Sequence, residues 1–248
     1  NLEQELYGKI CSQVIDSHQL LLTLAYALSQ LDAYCNFAVI AQKYDYCMPN
    51  LTEDMVFDIV GGRHPVVERV LAKSNECFIQ NDCKLSMDER IWLITGPNMA
   101  GKSTFLRQNA LIGILAQIGS FVPAASAQIG IVDKIFSRIG AGDDLGKGQS
   151  TFMLEMLETS AILAQATHKS LVILDEVGRG TSTYDGVAIA WSVLEHIHDK
   201  IRARCLFATH YHELIAMEEV LPSLTNYTVD LEDDGERTVF LHKIKKGS

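Results

Sequence analysis

The chain has 248 residues, 48% hydrophobic and 21% charged, so it can bury a core and is neither disordered, collagen-like nor a disulfide miniprotein. Its net charge of −10, from 21 Lys and Arg against 31 Asp and Glu, is opposite to the basic surface of an isolated nucleic-acid-binding domain. No apolar run reaches the ~18–20 residues of a membrane span. The six cysteines, Cys11, Cys35, Cys47, Cys77, Cys83 and Cys205, form no C-x-x-C pair, which argues for buried thiols in a reducing compartment and against zinc. The chain opens Asn1-Leu2-Glu3 without Met or signal peptide and closes on Lys245-Lys246-Gly247-Ser248. A piece of a longer cytosolic protein is expected.

In chain order, residues 1–47 hold no Pro and no Gly after Gly8, so one long helix is predicted, stopped by Pro49. Val14, Leu21, Leu28 and Cys35 recur every seven residues, with Leu24, Leu31 and Ala38 between them and Ser17 as the one miss. That spacing predicts a stripe buried against other helices. A boundary is drawn between residues 1–50 and 51–248. From about residue 55, short apolar runs alternate with Gly-rich turns and amphipathic stretches, the pattern of an α/β layer. Strands are predicted at Ile91–Ile94, Leu171–Leu174, Cys205–Ala208 and, after the acidic turn Glu232–Gly235, at Thr238–Leu241.

Four segments carry chemistry. Gly96-Pro97-Asn98-Met99-Ala100-Gly101-Lys102-Ser103-Thr104 fits G-x-x-x-x-G-K-[ST], between a strand and the helical Phe105–Gln108. Glycines let backbone N–H groups turn inward around phosphates, and the following helix adds its positive N-terminus. Lys102 is expected to reach the β- and γ-phosphates, and the Ser103 hydroxyl to ligate Mg²⁺. The loop alone leaves kinases, GTPases and motor ATPases open. Leu171–Leu174 reads as a central parallel strand buried on both faces, ending in Asp175-Glu176 where ligands bind in open α/β sheets. Asp175 is expected to hold Mg²⁺ through water and Glu176 to orient or deprotonate the attacking water. The plainer reading is a solvated acidic pair.

Ser150-Thr151 opens an amphipathic stretch after Gly146-Lys147-Gly148-Gln149; a Ser there is either a plain N-cap or an anion site. Thr209-His210 follows the Cys205–Ala208 strand, where a His could meet a γ-phosphate or water, though a lone His is more often an ordinary satisfied residue.

The blocks Gly96–Thr104, Ser150–Met156, Asp175–Gly186 and Phe207–Tyr211, with Gly62–Glu68, closely resemble the ATPase domain of the MutS family of DNA mismatch-repair proteins over roughly residues 55–245. The resemblance implies an α/β P-loop NTPase of ABC-ATPase type, with a central mainly parallel sheet, preceded by the end of a helical lever region. It implies a Mg²⁺-dependent ATPase that binds ATP and ADP, in a head-to-tail homodimer or heterodimer. Each nucleotide then lies between one subunit's P-loop and the other's signature helix. By position, Phe78 and Ile79 match residues that pack on adenine, and Asn98 a residue near the phosphates. Ser150 matches the signature serine acting in trans, Asp185 a segment communicating between the sites, and His210 the switch histidine. Mismatched double-stranded DNA would be read by domains outside these residues, a MutL-like protein is the implied partner, no membrane is involved, and the bacterial cytosol is the implied location. Ala100 replaces a common Gly, which argues against a required positive φ there.

Three readings compete: a Mg²⁺-dependent ATPase moving a DNA-bound clamp, a small-molecule P-loop kinase, and a non-catalytic dimerisation module holding nucleotide as a structural ligand. The kinase lacks a recognisable acceptor lid, and the structural module has no need of Glu176. A transporter subunit would carry a Leu-Ser-Gly-Gly-Gln signature, which is absent here. A MutS paralogue acting on other DNA structures is the nearest alternative, followed by another ABC-type DNA-repair ATPase.

Overall fold

A computed structural model of the chain describes residues 1–98, 100–139, 151–233 and 238–247. They form two compact units, Asn1–Asp45 and Tyr46–Ser248. The first is helical, in two pieces: α1, Leu2–Asp16, and α2, His18–Tyr44. The uninterrupted helix expected from the sequence is broken at Ser17, whose N–H bonds Val14 O at 3.2 Å before the ladder resumes with Leu21 N–H to Ser17 O at 3.1 Å. Asp16 and Ser17 are weak helix formers because their side chains compete with the backbone. The His18 ring donates from Nδ1 to Ile15 O at 3.2 Å, satisfying a carbonyl at the break. Nor does Pro49 end α2. Asp45 does so in the left-handed region, at φ 53° and ψ 56°. The expected apolar stripe is exposed, Val14, Leu21, Leu24, Leu28 and Leu31 included.

Residues 46–50 belong to the second unit, where Cys47 and Val122 exchange backbone hydrogen bonds. This unit is mixed α/β with two sheets. One has four strands, β1 (Asn50–Thr52), β2 (Phe57–Gly62), β3 (Asn81–Leu85) and β5 (Ser126–Gly130), in the order β1-β5-β2-β3. The β2–β3 and β2–β5 pairs are antiparallel. Helix α3, Pro65–Lys73, follows β2 and is capped by His64, whose Nδ1 accepts from the Val66 and Val67 N–H groups. The sequence does not announce this sheet, because its strands are short and half polar.

The second sheet, built from β4 (Ile91–Thr95), β6 (Ile135–Arg138), β7 (Leu171–Asp175), β8 (Arg204–Ala208), β9 (Leu224–Asp233) and β10 (Thr238–Lys246), runs β10-β9-β4-β8-β7-β6. All pairs are parallel except β10–β9. The four strands predicted from sequence are all here. The helices are α4 (Lys102–Gln117) after β4, α5 (Thr151–Gln165) before β7 and α6 (Thr183–His196) after it. Alternate residues of the central strands feed two cores, as the two-residue period of a strand requires. Trp92, Ile94, Ile173 and Leu206 face Phe105, Leu106 and the four-stranded sheet. Leu93, Val172, Leu174 and Phe207 face Ile162, Ala190 and Leu194. Both faces are covered, which is why these strands read as unbroken apolar runs.

Buried thiols hold for Cys83 and Cys205 only; Cys35 and Cys77 are exposed on loop or helix surface, and Cys11 and Cys47 lie between. Among the described residues no cluster of His, Cys, Asp or Glu could hold a metal by itself, and no helix is long and apolar enough to cross a membrane.

Candidate active site

The parallel register brings three chain segments to one edge of the sheet. Ile94 and Asp175 both pair with Ala208, so β4, β7 and β8 end level. Thr209 N–H bonds Ile94 O at 3.0 Å, and Glu176 N–H bonds Ala208 O at 2.9 Å. The Gly96–Thr104 loop, the Asp175-Glu176 pair and Thr209-His210 therefore leave the sheet side by side, at the carboxyl ends where open α/β sheets bind ligands.

The loop turns through left-handed backbone at Gly96 (φ 136°) and Gly101 (φ 103°), conformations that glycine adopts without a Cβ penalty. Ala100 is buried. Gly101 caps α4 without a side-chain bond, leaving the first N–H groups of the helix facing the loop. Lys102 curls back, its Nζ donating to Gly96 O at 2.6 Å and Pro97 O at 2.8 Å. Burial lowers its pKa, while the charges of Asp175 and Glu176 act the other way.

Ser103 Oγ donates to Asp175 Oδ2 at 2.5 Å, tying the start of α4 to the end of β7. Burial raises the Asp175 pKa, the Ser103 bond opposes it, and the neighbouring Glu176 charge adds to it. Asp175 Oδ1 is buried without a partner, a costly arrangement that a cation or ordered donor would relieve. Glu176 sits in the left-handed region at φ 56°, strain of about 1–3 kcal/mol that only a surrounding structure can hold. Its Oε1 is hydrogen-bonded to His210 Nε2 and its Oε2 to Arg179 Nη1. Burial alone would raise its pKa; the bonds and charges of His210 and Arg179 outweigh that and hold it below the ordinary value.

Pro97, Asn98, Gly101, Lys102, Ser103, Thr104 and Glu176 line a cleft of about 140 Å³. Next to it, sharing Gly101 and Thr104, lies an apolar pocket of about 280 Å³ whose walls include Phe78, Ile79, Val67 and His242. Of the described residues singled out in the sequence, Pro97, Asn98, Gly101, Lys102, Ser103, Thr104 and Glu176 line the cleft and Phe78 and Ile79 the pocket, while Asp175 and His210 are bonded to Ser103 and Glu176 of the cleft wall. Met99 and Ser150 lie outside the described residues. Asp185 serves as a capping partner, accepting from Ser182 Oγ at 2.7 Å at the start of α6.

Three contributors were not foreseen. Arg179 pairs with Glu176, and its basic charge three residues on was a usable signal. His242 donates from Nδ1 to Ala100 O at 3.0 Å, across 142 positions of sequence, with no local signal. Glu155, an acid within the otherwise apolar run Phe152–Leu157, accepts from Gly178 N–H.

The family model for MutS domain V matches residues 92–248. The chain belongs to the MutS domain V family. It is 68% identical over 248 residues to the DNA mismatch repair protein MutS of Rickettsia rickettsii (strain Sheila Smith), covering 100% of this chain and 28% of that protein. The proteins of the same name from Rickettsia prowazekii (strain Madrid E), at 68% over 247 residues, and Rickettsia massiliae (strain Mtu5), at 67% over 248, are covered to the same extents. The chain therefore spans 28% of the length of the relatives it matches. Within the MutS domain V match fall the loop, Asp175, Glu176 and His210; Phe78 and Ile79 precede it, inside the stretch shared with the relatives.

Proposed function

We propose that this chain is the ATP-binding and ATP-hydrolysing domain of a MutS-type DNA mismatch repair protein, with the ABC-type P-loop architecture. The observation that carries the reading is the Ser103–Asp175 bond, which joins the phosphate-type loop to the acidic strand end with Glu176 lining the same cleft. In this reading the triphosphate replaces the carbonyls on Lys102, so the ammonium exchanges two neutral acceptors for clustered negative charge. The loop N–H groups and the N-terminus of α4 complete the anion site. Adenine enters the neighbouring pocket and stacks on Phe78, with Ile79 beside it.

Ser103 and Asp175 fit Mg²⁺, since a hydroxyl and a carboxylate with one buried oxygen lacking a partner suit a hard cation. When bound, it would neutralise charge on the β- and γ-phosphates. Glu176, held ionised by His210 and Arg179, takes a proton from the attacking water while the bond from the γ-phosphorus to the bridging oxygen breaks.

The resemblance adds that Ser150 serves a partner subunit's nucleotide in a head-to-tail dimer. ATP shared across that interface would favour the closed form, linking turnover to clamp movement on mismatched DNA. DNA reading, and contact with a MutL-like protein in the cytosol, belong in this account to the parent protein. The test is Mg²⁺-dependent phosphate release from ATP with no acceptor added, together with titration calorimetry on K102A. Hydrolysis by the wild type and sharply weakened nucleotide binding in K102A are expected. Turnover that requires an acceptor would indicate a kinase, and K102A affinity equal to wild type would defeat the phosphate assignment.

A further inference from the structure

Gly178, two residues beyond Glu176, has both of its peptide groups held by side chains from other elements. Its N–H donates to Glu155 Oε1 on α5, and its C=O accepts the Tyr211 hydroxyl at 2.8 Å. Gly178 lies at φ 91°, and Gly186 at the start of α6 leaves room for the tyrosine: a Cβ there would come within 2.1 Å of its hydroxyl oxygen. Glu155 is only 4% exposed, with Arg138 Nη2 of β6 at 3.6 Å as its counter-charge. A carboxylate in that position costs desolvation that an apolar residue would avoid, and its chain neighbours Leu154 and Met156 are apolar. Burial first, then the charge of Glu155, push the Tyr211 pKa up, so the hydroxyl keeps the proton it donates.

We propose that Glu155 and Tyr211 are positioning residues that clamp the Gly178 turn and thereby hold Glu176 in its left-handed conformation, aimed into the cleft. Such a conformation persists only where the chain is fixed on both sides. On one side Glu176 N–H is bonded to Ala208 O; on the other the fixed point is Gly178. A freed turn lets Glu176 relax to negative φ and swing its carboxylate away. The clamp joins α5 to the strand end that carries the neighbouring His210, so displacement of either is felt at Glu176.

The proposal rests on the reading of Glu176 as the water-activating carboxylate, and the test separates the two. Steady-state ATP hydrolysis and nucleotide affinity are measured in the intact protein for Y211F, E155A, E155Q and G186A, each alone and combined with E176Q. Y211F, E155A and G186A are expected to lower kcat about 10-fold or more with Kd changed less than about 2-fold. E155Q keeps an oxygen that can accept from Gly178 N–H and retains most of the rate. On the E176Q background none lowers the residual rate further, because all act through that one side chain. Y211F removes a single oxygen, so it decides the matter if E155A or G186A fails to fold. Wild-type kcat in Y211F beside a crippled E176Q, or losses that multiply with E176Q, would overturn the positioning role alone. Undiminished turnover in E176Q would overturn both readings.

Discussion

Glu176 is buried enough that solvation alone would raise its pKa, yet His210 and Arg179 hold it below the ordinary glutamate value. In the proposed role a base must be ionised to accept a proton, and this pairing favours the ionised carboxylate. R179A removes one of the two groups that lower the pKa. If Glu176 is the base, as proposed, activity should fall as pH drops through that pKa, and the acid limb of the kcat profile should move to higher pH in R179A, read from rates at saturating ATP. An acid limb that stays in place would show that Arg179 does not tune the base. The depressed pKa also stabilises the fold above pH 4.5, and that contribution is lost as pH falls through the folded-state value. Burial lowers the Lys102 pKa and raises that of Asp175, so both shifts favour the neutral form of the group.

Between elements, Arg204 links the two sheets. It is fully buried at the start of β8 and donates to Val56 O at 2.9 Å, Gly130 O at 3.1 Å, Ile131 O at 3.3 Å and Lys169 O at 2.6 Å. Replacement by Met, similar in length and apolar, leaves four carbonyls without their donor and should cost about 2–4 kcal/mol in urea unfolding. Lys cannot reproduce the fork and should rescue little. A variant within about 0.5 kcal/mol of wild type would contradict this role. Nothing local to Arg204, just before the run Cys205–Ala208, reveals the carbonyls that surround it. The central strands and the loop were legible for the opposite reason. Their signals, unbroken apolar runs and a glycine-spaced anion motif, arise from neighbours in the chain. The four-stranded sheet, the clamp on Gly178 and His242 depend on partners far away in sequence, and the break at Ser17 was concealed by the absence of Gly and Pro.

On the scale of the whole molecule, the account requires two copies, since Ser150 is assigned to the partner's nucleotide. K102A and S150A should each silence a dimer alone, yet complement one another when mixed. A mixed dimer places both defects in one site and leaves the other whole, so random pairing leaves roughly a quarter of all sites intact. ATP hydrolysis by the mixture, with mixed dimers verified by mass, should rise above both single variants; no rise would confine Ser150 to its own subunit. Beneath this lies the central claim that Glu176, at the end of β7 beside the loop, drives hydrolysis rather than binding. The most direct measurement is kcat and nucleotide Kd for E176Q in the intact protein. The account predicts kcat lower by about 10²-fold or more with Kd within a few-fold of wild type; an E176Q protein that hydrolyses ATP at the wild-type rate would contradict it.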